Sequence, residues 1–262
     1  MKLFYRRLGQ SQKKLIILHG LYGASDNWYG IAKPLSKHFE VYLVDLRNHG
    51  QSPQTETHTY SEMSEDILDL MHDNSIEKAS LIGHSMGGKV AMYFALDNPE
   101  KIESMVIVDI APKNYSQNRR IAKHKEIIDG MLKIDLNLLK KREDLKLQLP
   151  DYLNNDFTYH FIAKNLKQGK DKHFSWKLNL PVLSKEIKNI ADGFSENEIG
   201  NKKINSPVLF IKGEYSNYIR KQDINRIVEL FPKAKIQEIK GAEHWIHAQK
   251  PQELTNIIID FL

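Results

Sequence analysis

The sequence predicts an α/β fold: a mostly parallel, doubly wound sheet carrying an inserted helical segment. Three observations predict it. Apolar runs such as Ile16-Ile17-Leu18 and Val106-Ile107-Val108 do not alternate with polar residues. Strands apolar on both faces belong to parallel sheets covered on both sides. Helical patterns separate most of these runs, as crossover connections between parallel strands require. Finally, the stretch from 112 to about 205 holds no convincing buried strand and is too long for an ordinary loop.

Taken in chain order, "KLIILHG" (Lys14–Gly20) is a buried strand closed by glycine. Trp28–Phe39 follows with apolar residues on one helical face, and "EVYLVDLR" (Glu40–Arg47) is the second strand. The pattern of Ser61–Asp73 is helical, "KASLIGHS" (Lys78–Ser85) is the third strand, and Met86–Asp97 is the helix that follows it at once. "ESMVIVDIAP" (Glu103–Pro112) is the fourth strand. Past the insertion come "SPVLFIKG" (Ser206–Gly213), a helix over Arg220–Phe231, "AKIQEIKG" (Ala234–Gly241) and a closing helix, Pro251–Leu262, with proline at its first position. The insertion is Lys-rich and reads as several amphipathic helices, for example "LNLLKKREDLKLQL" (Leu136–Leu149). The expected organisation is a core of residues 1–111 and 206–262 with a helical cap over 112–205.

At 262 residues and 41% hydrophobic, the chain can bury a sizeable core. Its formal net charge of +5 invites a nucleic-acid reading, but basic and acidic residues are interleaved, as in Lys140-Lys141-Arg142-Glu143-Asp144. That pattern is a solvated surface. Cysteine is absent, which excludes disulfides, thiolate metal centres and a Cys nucleophile. "MKLFYRRLGQ" has no apolar signal region, and no stretch approaches the roughly 20 apolar residues of a membrane span. A soluble cytoplasmic protein is the expectation.

Gly83-His84-Ser85-Met86-Gly87 places one serine between glycines where a strand becomes a helix. In such a bend the hydroxyl stands clear at the carboxyl edge of the sheet, and the flanking small residues let strand and helix approach. A serine hydroxyl is a poor nucleophile until a base takes its proton. His244, in "IKGAEHWIHAQKP" after the last strand, is the candidate base, and His247 is its nearest rival. His84 flanks the serine, His19 sits in "HGLYG" and His49 in "RNHGQS"; each reads as structural. Oxyanion donors are expected from the amides of Met86, after the serine, and Leu21, in the loop after the first strand. The orienting acid is expected after "SPVLFIKG", where Ser216 stands instead of aspartate. Asp109, ending the strand beside that of Ser85, is the preferred carboxylate, with Glu214 as the alternative. Ser216 would then bridge Asp109 and His244. Trp28, Tyr115, Trp176 and Trp245 are the candidate substrate-binding aromatics.

Together "HGLYGASDNW", "VDLRNHGQSP", "GHSMGGK", "VDIAPKNY" and "GAEHWIHAQKP" resemble the α/β-hydrolase superfamily, and within it the small bacterial carboxylesterases of the YbfF type. The matching motifs span Leu15–Asp109 and Pro207–Leu262. The resemblance implies an acid displaced onto Asp109. It also implies hydrolysis of short- to medium-chain acyl esters, or acyl thioesters, without cofactor or metal. The expected partner is a small acyl substrate, with no nucleic acid or membrane, for a monomer or weak homodimer. A dehalogenase would carry aspartate at position 85. A carbon–carbon bond hydrolase or menaquinone-pathway lyase would share the triad, and a non-catalytic binding protein of the same fold remains a further class.

Overall fold

The computed structural model of the chain describes residues 1–116, 119–153, 156–194, 199–200 and 202–262. Seven strands form its main sheet: β1 (Tyr5–Leu8), β2 (Lys14–Leu18), β3 (Glu40–Val44), β4 (Ala79–His84), β5 (Ile102–Val108), β8 (Val208–Gly213) and β9 (Ala234–Ile239), in the order β1-β3-β2-β4-β5-β8-β9. All neighbours are parallel except β1, which runs antiparallel along β3. This edge strand is absent from the six apolar runs because "YRRL" is polar at its centre and only half-buried.

Alternating residues of β2 show why the central strands are apolar throughout. Ile16 and Leu18 join the cluster packed by α2 (Tyr60–Asp73) and α3 (Met86–Asp97). Leu15 and Ile17 join the opposite cluster, with α1 (Tyr29–Leu35) and the closing helix, Pro251–Phe261. Each central strand therefore buries side chains on two faces, the condition for a covered parallel sheet. Helix α2 starts at a capping box, Thr59 accepting from the Glu62 amide while the Glu62 carboxylate reaches back to Thr59.

Among the described residues between β5 and β8 lie α4 (Arg119–Leu132), three short 3-10 turns, α5 (Asp156–Ala163), a separate antiparallel hairpin of β6 (Leu166–Gln168) and β7 (Phe174–Trp176), and α6 (Leu180–Ala191). The expected helix over Leu136–Leu149 is instead two 3-10 turns, Leu136–Leu138 and Arg142–Leu147. Local side-chain bonds break it. The Asp144 carboxylate takes the amides of Lys140 and Lys141, and Asp135 takes that of Asn137. Such bonds compete with the helical ladder. The main chain ends with α7 (Ile224–Leu230), α8 (Ile246–Gln249) and α9 (Pro251–Phe261). Among the described residues no helix is long and apolar enough to cross a membrane.

Candidate active site

The strands β4, β5, β8 and β9 are consecutive neighbours in the sheet, and the segments leaving their carboxyl ends converge. In open α/β sheets that edge is where ligands bind. Ser85 leaves β4 with φ +52° and ψ −115°, and its amide donates to the Val108 carbonyl at 3.0 Å. Asp109 leaves β5 with the same φ of +52°, its amide donating to the Ile211 carbonyl at 2.7 Å. Two adjacent strands thus end on a residue of the same positive φ, each turning residue tied to the next strand. The bend at Ser85 needs glycine beside it: a Cβ at Gly87 would run into the carbonyls of Leu18 and His19, and one at Gly83 into the Gly87 backbone.

His244 comes from the loop between β9 and α8. Its Nδ1 lies 2.7 Å from Asp109 Oδ2 and its Nε2 lies 3.0 Å from Ser85 Oγ. With Nδ1–H donating to the carboxylate, Nε2 is left to accept the serine proton. Asp109 is fully buried; its Oδ1 accepts from the Gly213 amide at 3.2 Å, and Oδ2 also accepts from the Ser216 hydroxyl. Ser216 is itself held by the Tyr218 amide at 3.3 Å. The Tyr218 ring stacks on the His244 imidazole, centroids 3.7 Å apart and planes at 12°. Glu214 stands apart, its carboxylate accepting from the Gly241 amide at 2.8 Å.

The other histidines brace the site. His84 donates from Nε2 to the His244 carbonyl at 2.9 Å, and burial, followed by the neighbouring His244, pushes its pKa down to about 3. It is therefore a neutral strut. His247 stacks on Trp28 at 4.9 Å and is held well below the ordinary histidine range by burial. His19 donates from Nδ1 to the Gly20 carbonyl at 2.8 Å and accepts the Leu46 amide at Nε2 at 3.0 Å. His49 accepts the Tyr22 amide at 3.2 Å, and the Gly23 amide returns to the Gly20 carbonyl at 2.9 Å. These bonds leave out the Leu21 amide. The Met86 amide opens α3, where the first turn has no helical acceptor.

Ser85, His244, Leu21 and Met86 face a pocket that is continuous with solvent. Its wall is largely apolar, and the segment between β5 and β8 contributes Ile121, Phe161, Ile187 and Ile190. Trp28, Tyr115 and Trp245 are on this wall. Trp176 is not: it belongs to β7, half-buried against the main core. The reason is the hairpin, whose strand pairing turns that tryptophan onto a satellite sheet. Sequence reasoning missed Tyr218, whose only local signal is its place two residues after Ser216.

A family model described as the alpha/beta hydrolase fold matches residues 13–251. Over 251 residues the chain is 32% identical to the esterase YbfF of Escherichia coli (strain K12), spanning 95% of this chain and 92% of that one. It is 36% identical over 251 residues to an sn-1-specific diacylglycerol lipase of Danio rerio, covering 95% and 78%. Among solved structures it is similar to a marine microorganism esterase, with 41% identity, a TM-score of 0.95 and coverage of 100% and 99%.

Proposed function

This chain belongs to the α/β hydrolase fold family, as a hydrolase of carboxylesterase type, and we propose that it cleaves short- to medium-chain acyl esters, or acyl thioesters, through an acyl-enzyme on Ser85. The observation that carries this reading is the hydrogen-bonded series Ser85–His244–Asp109 at 3.0 and 2.7 Å, opening onto an apolar cavity.

His244 Nε2 takes the proton as Ser85 Oγ bonds to the acyl carbon. The amides of Leu21 and Met86 hold the resulting oxyanion; removing one such donor costs about 2.7–4 kcal/mol in barrier. His244 then gives its proton to the departing alkoxide or thiolate. Water attacks the acyl-enzyme, His244 again takes the proton, and Ser85 leaves with it while the free acid departs. Asp109 keeps the imidazole in the required tautomer and stabilises its cation, with Ser216 bonded to the same oxygen. The Tyr218 face adds cation–π support when the ring is charged, about 0.5–2 kcal/mol.

Residues 112–205 act in this reading as a cap on a core of 1–111 and 206–262. Their apolar side chains give the acyl chain its wall, with Trp28, Tyr115 and Trp245 as aromatic contacts. The experiment is burst release of p-nitrophenol from p-nitrophenyl acetate or butyrate, with a panel of esters and coenzyme A thioesters from two to sixteen carbons. Turnover by the wild type and its fall by about 10⁶-fold in Ser85→Ala are expected. Wild-type inactivity on the whole panel overturns the proposal.

A further inference from the structure

We infer that the segment between β5 and β8 fixes the oxyanion loop through Asn165, which makes Asn165 a positioning residue for the Leu21 donor. This rests on the reading of Leu21 given above.

Three successive peptide planes make up that loop, and each is tied by a different partner. The plane joining Gly20 to Leu21 carries the Leu21 N–H on one side and the Gly20 carbonyl on the other. That carbonyl accepts from His19 Nδ1 at 2.8 Å and from the Gly23 amide at 2.9 Å. The plane joining Leu21 to Tyr22 is held by the Tyr22 amide on His49 Nε2, 3.2 Å. The plane joining Tyr22 to Gly23 is held by the Tyr22 carbonyl, which accepts from Asn165 Nδ2 at 3.0 Å in a buried bond. His19 and His49 belong to the sheet's own loops; Asn165 does not.

Asn165 lies two residues past the end of α5 and is buried. Its Nδ2 also donates to the Phe161 carbonyl at 3.2 Å, and its backbone carbonyl accepts from the Lys177 amide at 2.8 Å. The side chain is thus rigidly mounted on the inserted segment. The same segment takes the Tyr22 hydroxyl, which donates to the His124 carbonyl on α4 at 3.1 Å, and packs Phe161 edge-on against the Tyr22 ring at 5.9 Å. Tyr22 meanwhile sits at φ +63°, a conformation that a bulky residue keeps only when its surroundings over-determine it.

The consequence is mechanical. The peptide that Asn165 grips is the one whose N–H closes on the Gly20 carbonyl, and that carbonyl shares its plane with the Leu21 N–H. Without Asn165 the Tyr22–Gly23 peptide can rotate out of its left-handed setting and release Gly20. The donor is then present but no longer aimed, an effect felt by the tetrahedral intermediate and hardly by the planar ester.

The test uses Asn165→Ala and the near-isosteric Asn165→Leu, which keeps the shape but has no hydrogen to donate. For each, kcat and KM for p-nitrophenyl butyrate are measured beside the inhibition constant of butylboronic acid, which forms a tetrahedral adduct on the serine. Both variants are expected to lose about 10–100-fold in kcat, below the 10²–10³ of losing a donor outright. The boronate constant should rise by a similar factor, and KM should stay within about threefold. Asn165→Leu answers the question if Asn165→Ala fails to fold. Values of kcat and boronate affinity within twofold of wild type, or a change confined to KM, overturn the inference. Ser85→Ala, run beside them, separates the two readings: if it retains ester turnover, the nucleophile assignment falls and takes the inference with it. If it is dead while the Asn165 variants match wild type, only the tie is wrong.

Discussion

Asp109 holds a conformation that aspartate adopts seldom, φ +52°, fully buried at the end of β5. Asparagine tolerates the same region and nearly the same volume. Asp109→Asn should therefore leave the turn standing while replacing a carboxylate by a group that can offer an N–H to His244 Nδ1. The imidazole would then present its proton at Nε2, against Ser85 instead of toward Asp109. The expected loss in kcat is about 10⁴-fold, as in a protease triad altered the same way. Glu214→Gln is the control. Its side chain accepts from the Gly241 amide, a role glutamine can keep, so kcat should stay within about threefold. Steady-state kinetics on one ester checks both, and a large loss in Glu214→Gln with a small one in Asp109→Asn would reverse the assignment. Ser216 matters here because it stands after β8 and spends its hydroxyl on Asp109.

At the scale of elements, β4, the bend at Ser85 and α3 form one rigid piece, since Gly83, Gly87 and Gly88 let the helix lie against the strands. Gly87→Ala would push a methyl into the carbonyls of Leu18 and His19, backbone that cannot swing aside. We expect a cost of about 1–3 kcal/mol, read as a fall in melting midpoint, and a fall in kcat because His19 opens the loop proposed to carry the Leu21 oxyanion donor. An unchanged midpoint would contradict the packing. The same elements explain what the sequence could disclose. Strands β2 to β5 were legible because both faces are buried, which leaves unbroken apolar runs. Edge strand β1, with Arg6 and Arg7 at its centre, was not, and neither were the three-residue strands β6 and β7. The turns of Leu136–Leu147 kept helical spacing in their leucines, yet side chains such as Asp144 decided otherwise. In the site, Ser85, Asp109 and His244 are the residues the sequence proposes, the first two just past strand ends and the third in the loop after β9, each with a motif around it. Tyr218 and Asn165 are not among them, since the contacts that bring each to the site, with His244 and with the Tyr22 carbonyl, join loops distant in sequence. Trp176 showed the converse failure, an aromatic residue with no spacing to place it.

For the molecule as a whole, the carboxyl edge of the sheet is built over buried neutral histidines. His19, His49, His58 and His84 are almost without solvent contact. Burial lowers the pKa of each, foremost by desolvation, to about 3 for His58 and His84. In the unfolded chain these groups return to about 6.5. Below that pH the unfolded state binds more protons than the folded one, so stability falls as pH drops and recovers as it rises. The loss runs from about 6.5 down to the folded values, at most about 1.4 kcal/mol per pH unit for each histidine. Between pH 7 and pH 5, His58 and His84 should together remove about 4 kcal/mol, roughly 10 °C of melting midpoint. Carboxylates lowered by their partners, such as Glu40 beside Lys14, lose their share only below about pH 4.5, so the upper window belongs to the histidines. Chemical denaturation of wild type and His58→Gln at pH 7, 6 and 5 isolates one of them. His58 accepts from Asn48 Nδ2 at Nδ1 and contacts Met86 Sδ through Nε2, where a glutamine amide N–H can still donate, and the variant has nothing to protonate there. Its stability should fall by about 2 kcal/mol less than that of wild type across the series. Parallel curves would mean that acid sensitivity in this window arises elsewhere in the fold.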